Sequence, residues 1–195
     1  MRNHFNRSFA IIGLLTILAA AALNGCAPGR QTDGSQVDSA GADRMVKNLT
    51  PAIERLYLGW HELDRIHKEI KFLERGLLTD PDDRQLGYVQ KVSLYIQDAS
   101  LRIHHGWERL SVLGYVRPEM MRDYMTLNVR SLTSAMTEIQ YDTQFLTIYA
   151  AFVDNPAIVA DIERAQGKIG ENLDEMGRIV EMLTPLANPA TSPAL

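Results

Sequence analysis

Few side chains in this 195-residue sequence could act as nucleophiles or bind a metal. The chain has one cysteine, Cys26, whose thiolate could attack a substrate or ligate a metal ion. Four histidines lie beyond it, at His61, His67, His104 and His105. Imidazole side chains on facing helices can bind a metal or a haem, so the spacing of these histidines decides whether they could form such a site.

That spacing argues against a shared site. If the first two helices meet in a turn near residue 80, His61 lies level with Ala99 and ~7–8 Å along the helix axis from the level of His104. This offset is too large for one tetrahedral ion. Adjacent residues of a helix point ~100° apart, so His104 and His105 do not easily face one ion. We therefore predict no metal site and no cofactor, and metal or haem binding is the alternative.

The remaining candidates for catalysis are weak. The sequence contains no Gly-x-Ser-x-Gly, His-Glu-x-x-His, Glu-x-x-His or Cys-x-x-Cys-His motif. Glu138 and Asp142 lie one turn apart on a predicted helix, where acidic pairs usually belong to a solvated face. The sequence therefore predicts that the chain is not an enzyme and has no catalytic residues.

The first 25 residues have the pattern of a secretory signal. Residues 1–7 carry two arginines and no acid, and residues 9–23 are almost wholly apolar. The apolar run is shorter than the ~20 residues that a membrane-spanning helix needs. A cleaved signal peptide over residues 1–25 is the prediction.

The end of this segment has a more specific pattern. Leu23-Asn24-Gly25-Cys26 resembles the lipobox of bacterial lipoproteins, although Asn24 stands where small or hydroxyl residues are commoner. The resemblance implies cleavage before Cys26, diacylglycerol on its sulfur and an acyl chain such as palmitate on its amine. Ala27 in place of an acidic residue implies sorting to the outer membrane, facing the periplasm. The alternative is an ordinary cleaved signal with a chance cysteine.

Charge limits the partners of the mature chain. Residues 1–25 hold two of the twenty basic residues and none of the twenty-four acidic ones, so the other 170 residues carry a net charge of −6. An acidic chain of this kind is not expected to bind nucleic acid. Its length suits one domain with a substantial core, and its composition favours helices.

The sequence divides the mature chain into three parts. Residues 26–42 are predicted to be the lipidated cysteine and a flexible tether rich in Gly, Ser, Asp and Gln, spanning roughly 20–25 Å. Residues 43–185 are predicted to form the helical domain. Residues 186–195 are predicted to be a disordered tail.

Within the helical domain, apolar residues recur at steps of three and four, which is typical of amphipathic helices with a coiled-coil-like seam. The predicted inward positions run through residues 49–77, 86–110, 121–150 and 159–183. Short connections force neighbouring helices to be antiparallel. The predicted fold is therefore an all-α, up-down-up-down antiparallel four-helix bundle.

Prolines and capping residues predict where these helices begin. Thr50 is expected to cap the first helix with Pro51 at the first helical position, and the alternative is an earlier start with a kink at Pro51. Asp80 and Pro81 are expected to open the second helix, and Pro118 the third.

Three further signals predict helix boundaries. Gly114 is expected to end the second helix, and Asn155 to cap the fourth. Pro185 and the prolines that follow it are expected to end regular structure.

Several side chains on or beside the seams allow more than one interpretation. Trp60 is predicted to fill a core layer opposite Ala99 and Ala135, and otherwise to be an exposed ring in a ligand cleft. Asn128 and Thr143 on the third seam could specify register, line a pocket, or show that the register is wrong. The seven tyrosines could form a partner surface or lie at bundle edges; they are Tyr57, Tyr88, Tyr95, Tyr115, Tyr124, Tyr141 and Tyr149.

Together these features favour a lipid-anchored, non-catalytic interaction or structural module of the cell envelope. The expected partners are the membrane, bound through lipid on Cys26, and another envelope protein. The alternative is a periplasmic helical bundle that binds a ligand or a metal.

Overall fold

A computed structural model of the chain describes residues 39–78 and 83–187. Within these residues every regular element is a helix, and there is no strand. The predicted signal, Cys26, residues 79–82 and residues 188–195 lie outside the described part of the chain. The elements are α1 (Ser39–Leu77), α2 (Asp83–Ser111), two short 3-10 turns (Leu113–Tyr115 and Pro118–Met120), α3 (Met121–Ala150) and α4 (Pro156–Ala187).

The four long helices pack around one apolar core. α1 and α3 each pack against both α2 and α4, so every long helix has two principal neighbours. The predicted inward positions supply the core: Leu56, Ile103, Leu146 and Ile169 are each at most 1% exposed. Burying an aliphatic side chain of this size stabilises the fold by about 1.5–3 kcal/mol. The all-α helical bundle predicted from the sequence is confirmed at this level.

The start of α1 differs from the first of the two predictions. The helix begins at Ser39 and continues through Pro51, so Thr50 is not its N-cap. The hydroxyl of Thr50 instead donates to the carbonyl oxygen of Val46 at 2.9 Å. Pro51 lacks an amide hydrogen, yet Leu49 and Ala52 on either side are each 1% exposed, and their burial favours continuing the helix.

The other helix boundaries are mixed in outcome. Asn155 caps α4 as predicted, because its Oδ1 accepts hydrogen bonds from the amides of Ala157 at 3.0 Å and Ile158 at 3.3 Å. The prediction that Pro185 ends regular structure is wrong, since α4 continues to Ala187. The burial of Leu183 and Ala187 against the core explains the extension.

The connection between α2 and α3 is longer than predicted. α2 ends at Ser111, and Gly114 lies in the following 3-10 turn. Pro118 opens a second 3-10 turn instead of α3 itself. Leu113 is buried in this connection, which anchors the first turn to the core. Asp80 and Pro81 lie outside the described residues, so the start of α2 stays a prediction.

Candidate functional site

Aromatic and histidine rings gather on the surface where α1 meets α2. We call this group the histidine–tryptophan cluster; it consists of Tyr57, Trp60 and His61 of α1 with His104 and Trp107 of α2. The ring of Trp60 lies 4.0 Å from that of His104 and 4.3 Å from that of His61, between centroids. Trp60 and Trp107 are nearly parallel, with centroids 6.1 Å apart. Both tryptophans of the chain therefore lie in this cluster.

This arrangement shows how far the side chains of α1 and α2 reach along the helix axis. Trp60 contacts His104, about one helical turn beyond the level of Ala99 at which it was placed. His61 and His104 consequently contact the same indole, although the sequence predicted them to be well separated. Long side chains lean along the helix axis, so two rings can meet although their Cα atoms differ in level by about one turn. Trp60 is half-buried at the edge of the core.

The structure also brings the ring nitrogens of His104 and His105 close to one carboxylate. Their ligand nitrogens and a carboxylate oxygen of Glu108 all lie within 4.8 Å of one another. The Nε2 atom of His104 is 3.8 Å from Oε1 of Glu108. The two imidazoles leave the backbone in different directions, but their length lets the ring nitrogens converge over one turn of α2. Glu108 lies four residues after His104 and three after His105, and the prediction from sequence overlooked this spacing.

The fourth histidine, His67, is held in a different environment. Its Nε2 is buried and has no hydrogen-bond partner among the described residues. Burial lowers the pKa of His67, and the positive charge of Lys71 lowers it further, whereas Asp64 and Glu74 act in the opposite direction. The structure thus favours a neutral imidazole at this position.

Aromatic side chains also line the seam between α2 and α3. Tyr88 stacks on Phe152 with centroids 5.0 Å apart, and the ring of Tyr95 lies 5.6 Å from that of Phe145. Lys91 places its ammonium 4.4 Å from the centre of the Tyr149 ring, which is a cation–π distance. We call this group the aromatic seam; it comprises Tyr88, Tyr95, Tyr141, Phe145, Tyr149 and Phe152.

Charged residues continue the same seam. Arg102 of α2 forms ion pairs with both Glu138 and Asp142 of α3. The expectation that these two acids form a solvated face is wrong for Asp142, which is buried, although Glu138 is exposed. Burial raises the pKa of Asp142, and the hydrogen bond from Arg102 partly opposes that shift. The arrangement fixes α2 against α3 and assigns the acid pair a structural role.

Ion pairs connect α1 and α4 along the seam between them. Glu69 pairs with Arg164 at 2.7 Å and Glu62 with Lys168 at 3.1 Å. Arg55 reaches both carboxylate oxygens of Glu175, at 2.8 and 2.9 Å. Beside these pairs lies an open groove of about 350 Å³. We call these three contacts the α1–α4 ion pairs.

The two polar residues predicted on the α3 seam do face inward. Asn128 is 1% exposed, and its amide nitrogen donates to the carbonyl oxygen of Tyr124 at 2.9 Å. Its Oδ1 is buried without a partner in the described part of the chain. Thr143 is half-buried and donates to the carbonyl oxygen of Ile139 at 2.7 Å. The third explanation, a wrong register for α3, is therefore excluded.

Comparisons of the chain with protein-family models, with curated proteins and with solved structures gave no match. None of the helices in the described residues has a stretch long and apolar enough to span a bilayer. Cys26, the predicted site of lipid attachment, lies outside those residues.

Proposed function

We propose that this chain is a cell-envelope lipoprotein whose helical bundle binds another envelope protein without catalysing a reaction. The membrane link is lipid on Cys26, followed by a tether, and the expected location is the periplasmic face of the outer membrane. The support for this part is the sequence pattern of residues 1–27. The bundle supplies the binding surface.

The observation that carries the binding proposal is the exposed side of the aromatic seam. Tyr141 is 60% exposed and Phe152 is 50% exposed, and the neighbouring Ile148 is 53% exposed. Within α3, Tyr141, Phe145 and Ile148 follow steps of four and three, so they share one side of the helix, and Phe152 lies in the turn that follows α3. Contiguous exposed apolar surface of this kind marks interaction sites, and aromatic residues are enriched where proteins bind each other.

The chemistry of this surface indicates the chemistry of its partner. Exposed rings next to Ile148 are suited to a partner that presents apolar or aromatic side chains, and burying them would contribute most of the binding energy. Lys91 and the hydroxyls of the tyrosines offer polar contacts at the rim. We therefore propose a protein partner and no nucleic acid.

We also propose that the helices run up-down-up-down, with antiparallel neighbours. Residue numbers rise along α1 from Arg55 to Glu69, while their partners fall along α4 from Glu175 to Arg164. The pairing of Tyr88 with Phe152 and of Arg102 with Glu138 follows the same opposite order between α2 and α3. Such an order is what antiparallel neighbours produce.

Site-specific photocrosslinking in intact cells tests the binding proposal. A benzoylphenylalanine at position 141 or 152 should give one discrete crosslinked product, identified by mass spectrometry as an envelope protein. The matched control is position 72, because Phe72 is also aromatic and 72% exposed but lies on α1. Equal products from positions 141 and 72, or no product from position 141, would contradict the proposal.

Metabolic labelling tests the anchor separately. The chain should incorporate a palmitate analogue and fractionate with the outer membrane, and the Cys26→Ser variant should lose the label and keep its signal peptide. A labelled Cys26→Ser protein would rule out lipid attachment at this residue.

A ligand-binding bundle is the second candidate. The groove beside the α1–α4 ion pairs favours it, because Lys168 and Glu175 line that groove with fixed charges. If this candidate is right, native mass spectrometry of the protein purified from cells should show a retained small molecule. If the chain only binds another protein, the spectrum should show none.

A further inference from the structure

We infer that His104, His105 and Glu108 form a binding site for a late first-row divalent metal ion such as Cu²⁺ or Zn²⁺. The inference goes beyond protein binding by the aromatic seam, which lies between α2 and α3, whereas His104 of this site packs against Trp60 of α1. It rests on the convergence of two imidazoles and one carboxylate to within 4.8 Å on a single turn of α2.

The ligand set indicates the class of metal. Imidazole nitrogen suits Zn²⁺, Cu²⁺ and Ni²⁺, whereas Mg²⁺ and Ca²⁺ prefer sites made of oxygen atoms. Among the first-row divalent ions, Cu²⁺ binds such sites most tightly. Three protein ligands on an exposed turn leave other coordination positions to water or to a further ligand.

The geometry needs only side-chain movement to close around an ion. Zinc–nitrogen and zinc–oxygen bonds are about 2.0–2.2 Å long, so two ligands on one ion lie about 3–4 Å apart. The His104 Nε2 to Glu108 Oε1 distance of 3.8 Å already falls in that range. Rotation about the side-chain bonds of His105, which is exposed, can bring in the third ligand. The backbone of this turn is held by Ile103 and Leu110, which are fully buried.

The surroundings restrain His104 and keep nearby cations away. The imidazole packs 4.0 Å from the ring of Trp60 and 5.5 Å from that of Trp107, which limits its rotation. The arginines on either side of the site are directed towards α3, where Arg102 pairs with Glu138 and Arg109 donates to Ser131. A positioned imidazole with the adjacent positive charges engaged elsewhere favours metal binding.

Tryptophan fluorescence gives a direct readout of this site. Both tryptophans of the chain lie in the histidine–tryptophan cluster, and bound Cu²⁺ quenches indoles at such short range. Titration of the full-length, lipidated protein in detergent with Cu²⁺ should give saturable quenching at one equivalent. Zn²⁺, which does not quench, should compete and restore the emission.

Single substitutions assign the ligands. His105→Ala changes an exposed side chain and should weaken Cu²⁺ binding by at least about tenfold, as should His104→Ala. Glu108→Gln should weaken it less. The matched controls are His61→Ala and His67→Ala, which remove an imidazole from the same pair of helices and should bind Cu²⁺ like the unaltered protein.

Electron paramagnetic resonance of the Cu²⁺-loaded protein provides an independent signature. We expect hyperfine coupling to two imidazole nitrogens, with one lost in His105→Ala while circular dichroism shows a folded bundle. Unsaturable quenching, or affinity that is equal in His105→Ala and the unaltered protein, would overturn the proposed site.

Discussion

A buried amide in the core shows what a polar seam residue contributes at the scale of one side chain. The side-chain amide nitrogen of Asn128 donates to the carbonyl oxygen of Tyr124, one turn earlier. Its Oδ1 is buried and has no hydrogen-bond partner in the described residues. A buried acceptor that loses its hydrogen bonds to water costs ~1–3 kcal/mol. We therefore expect this residue to lower stability and to contribute instead to helix register or to uniqueness of packing.

We predict that Asn128→Leu stabilises the bundle. Leucine has the same number and branching of side-chain heavy atoms as asparagine and removes the unpaired acceptor, so the free energy of unfolding should rise by about 1–2 kcal/mol. Urea denaturation followed by circular dichroism measures the change. The control Asn128→Asp, which adds a buried charge at the same position, should destabilise the protein. A loss of stability in Asn128→Leu would show that Oδ1 has an essential partner.

His67 is expected to make the fold sensitive to acid. Burial lowers its pKa in the folded protein, so the unfolded chain takes up a proton first as the pH falls. Stability should therefore decline as the pH drops below about 6.5, the ordinary histidine value, and the loss should continue down to the lowered pKa. Asp142, with its raised pKa, acts in the opposite direction, because its burial favours the fold at more acidic pH.

The measurement compares chemical denaturation at pH 7.5 and pH 5 for the unaltered protein and for His67→Gln. The difference in stability between the two pH values should be smaller in the variant. His61→Gln is the control, since His61 is exposed and should leave that difference nearly unchanged. If His67→Gln loses as much stability between pH 7.5 and pH 5 as the unaltered protein, the acid sensitivity arises from a group other than His67.

At the scale of the helices, Gly59 of α1 faces the buried side chain of Asn172 on α4. A methyl group on Gly59 would lie 2.3 Å from Oδ1 of Asn172 and 2.4 Å from its Nδ2. Asn172 is only 3% exposed, and its Nδ2 donates to the carbonyl oxygen of Lys168 at 2.8 Å. The amide therefore has little room to move, and the absence of a side chain on α1 is what accommodates it.

We predict that Gly59→Ala destabilises the protein by about 1–3 kcal/mol, the usual cost of overpacking. The matched control is Gly167→Ala in α4, where an added methyl group meets nothing within 4 Å. Alanine is the better helix former, so this control should stabilise the protein by about 0.5–1 kcal/mol. Thermal unfolding of both variants tests the pair; a melting temperature that is unchanged or higher in Gly59→Ala would show that Gly59 does not set the helix spacing.

Helices were the part of the fold that could be predicted from sequence. The 3.6-residue period identified inward positions such as Leu56 and Ile169, since burial of apolar groups dominates folding. The sequence left open whether α1 starts at Thr50 or continues through Pro51, because local propensity favours a start there and the core burial that outweighs it is a tertiary effect.

The burial of Asp142 was missed for a similar reason. A pattern of polar and apolar residues places Asp142 outside, whereas the side chain of Arg102 from the neighbouring helix pairs with it and permits burial. The candidate metal site was missed because side-chain reach, and not backbone direction alone, brings His105 and Glu108 together. The lipid-attachment prediction at Cys26 depends on a local motif and needs no tertiary information.

At the scale of the whole molecule, the α1–α4 ion pairs join the first helix to the last. Glu62→Lys should place two cations together across this seam and destabilise the protein, and Lys168→Glu should place three acids near one another. The double swap Glu62→Lys with Lys168→Glu should restore the pairing. The expected coupling free energy is about 0.2–1 kcal/mol, as for other exposed pairs.

A double-mutant cycle by urea denaturation gives this coupling, and repeating it in 1 M salt should reduce it, because salt screens exposed charges. Additive effects of the two substitutions at low salt would show that the pair contributes nothing to the joining of the helices.

The placement of the aromatic rings allows the cooperativity of unfolding to be measured by spectroscopy. Both tryptophans lie between α1 and α2, while the four tyrosines of the aromatic seam lie between α2 and α3. Indole emission and tyrosine near-ultraviolet dichroism therefore sense opposite flanks of α2 during unfolding. Coincident midpoints from the two signals identify a single all-or-none transition, and separate midpoints identify a partly opened bundle and the flank that opens first.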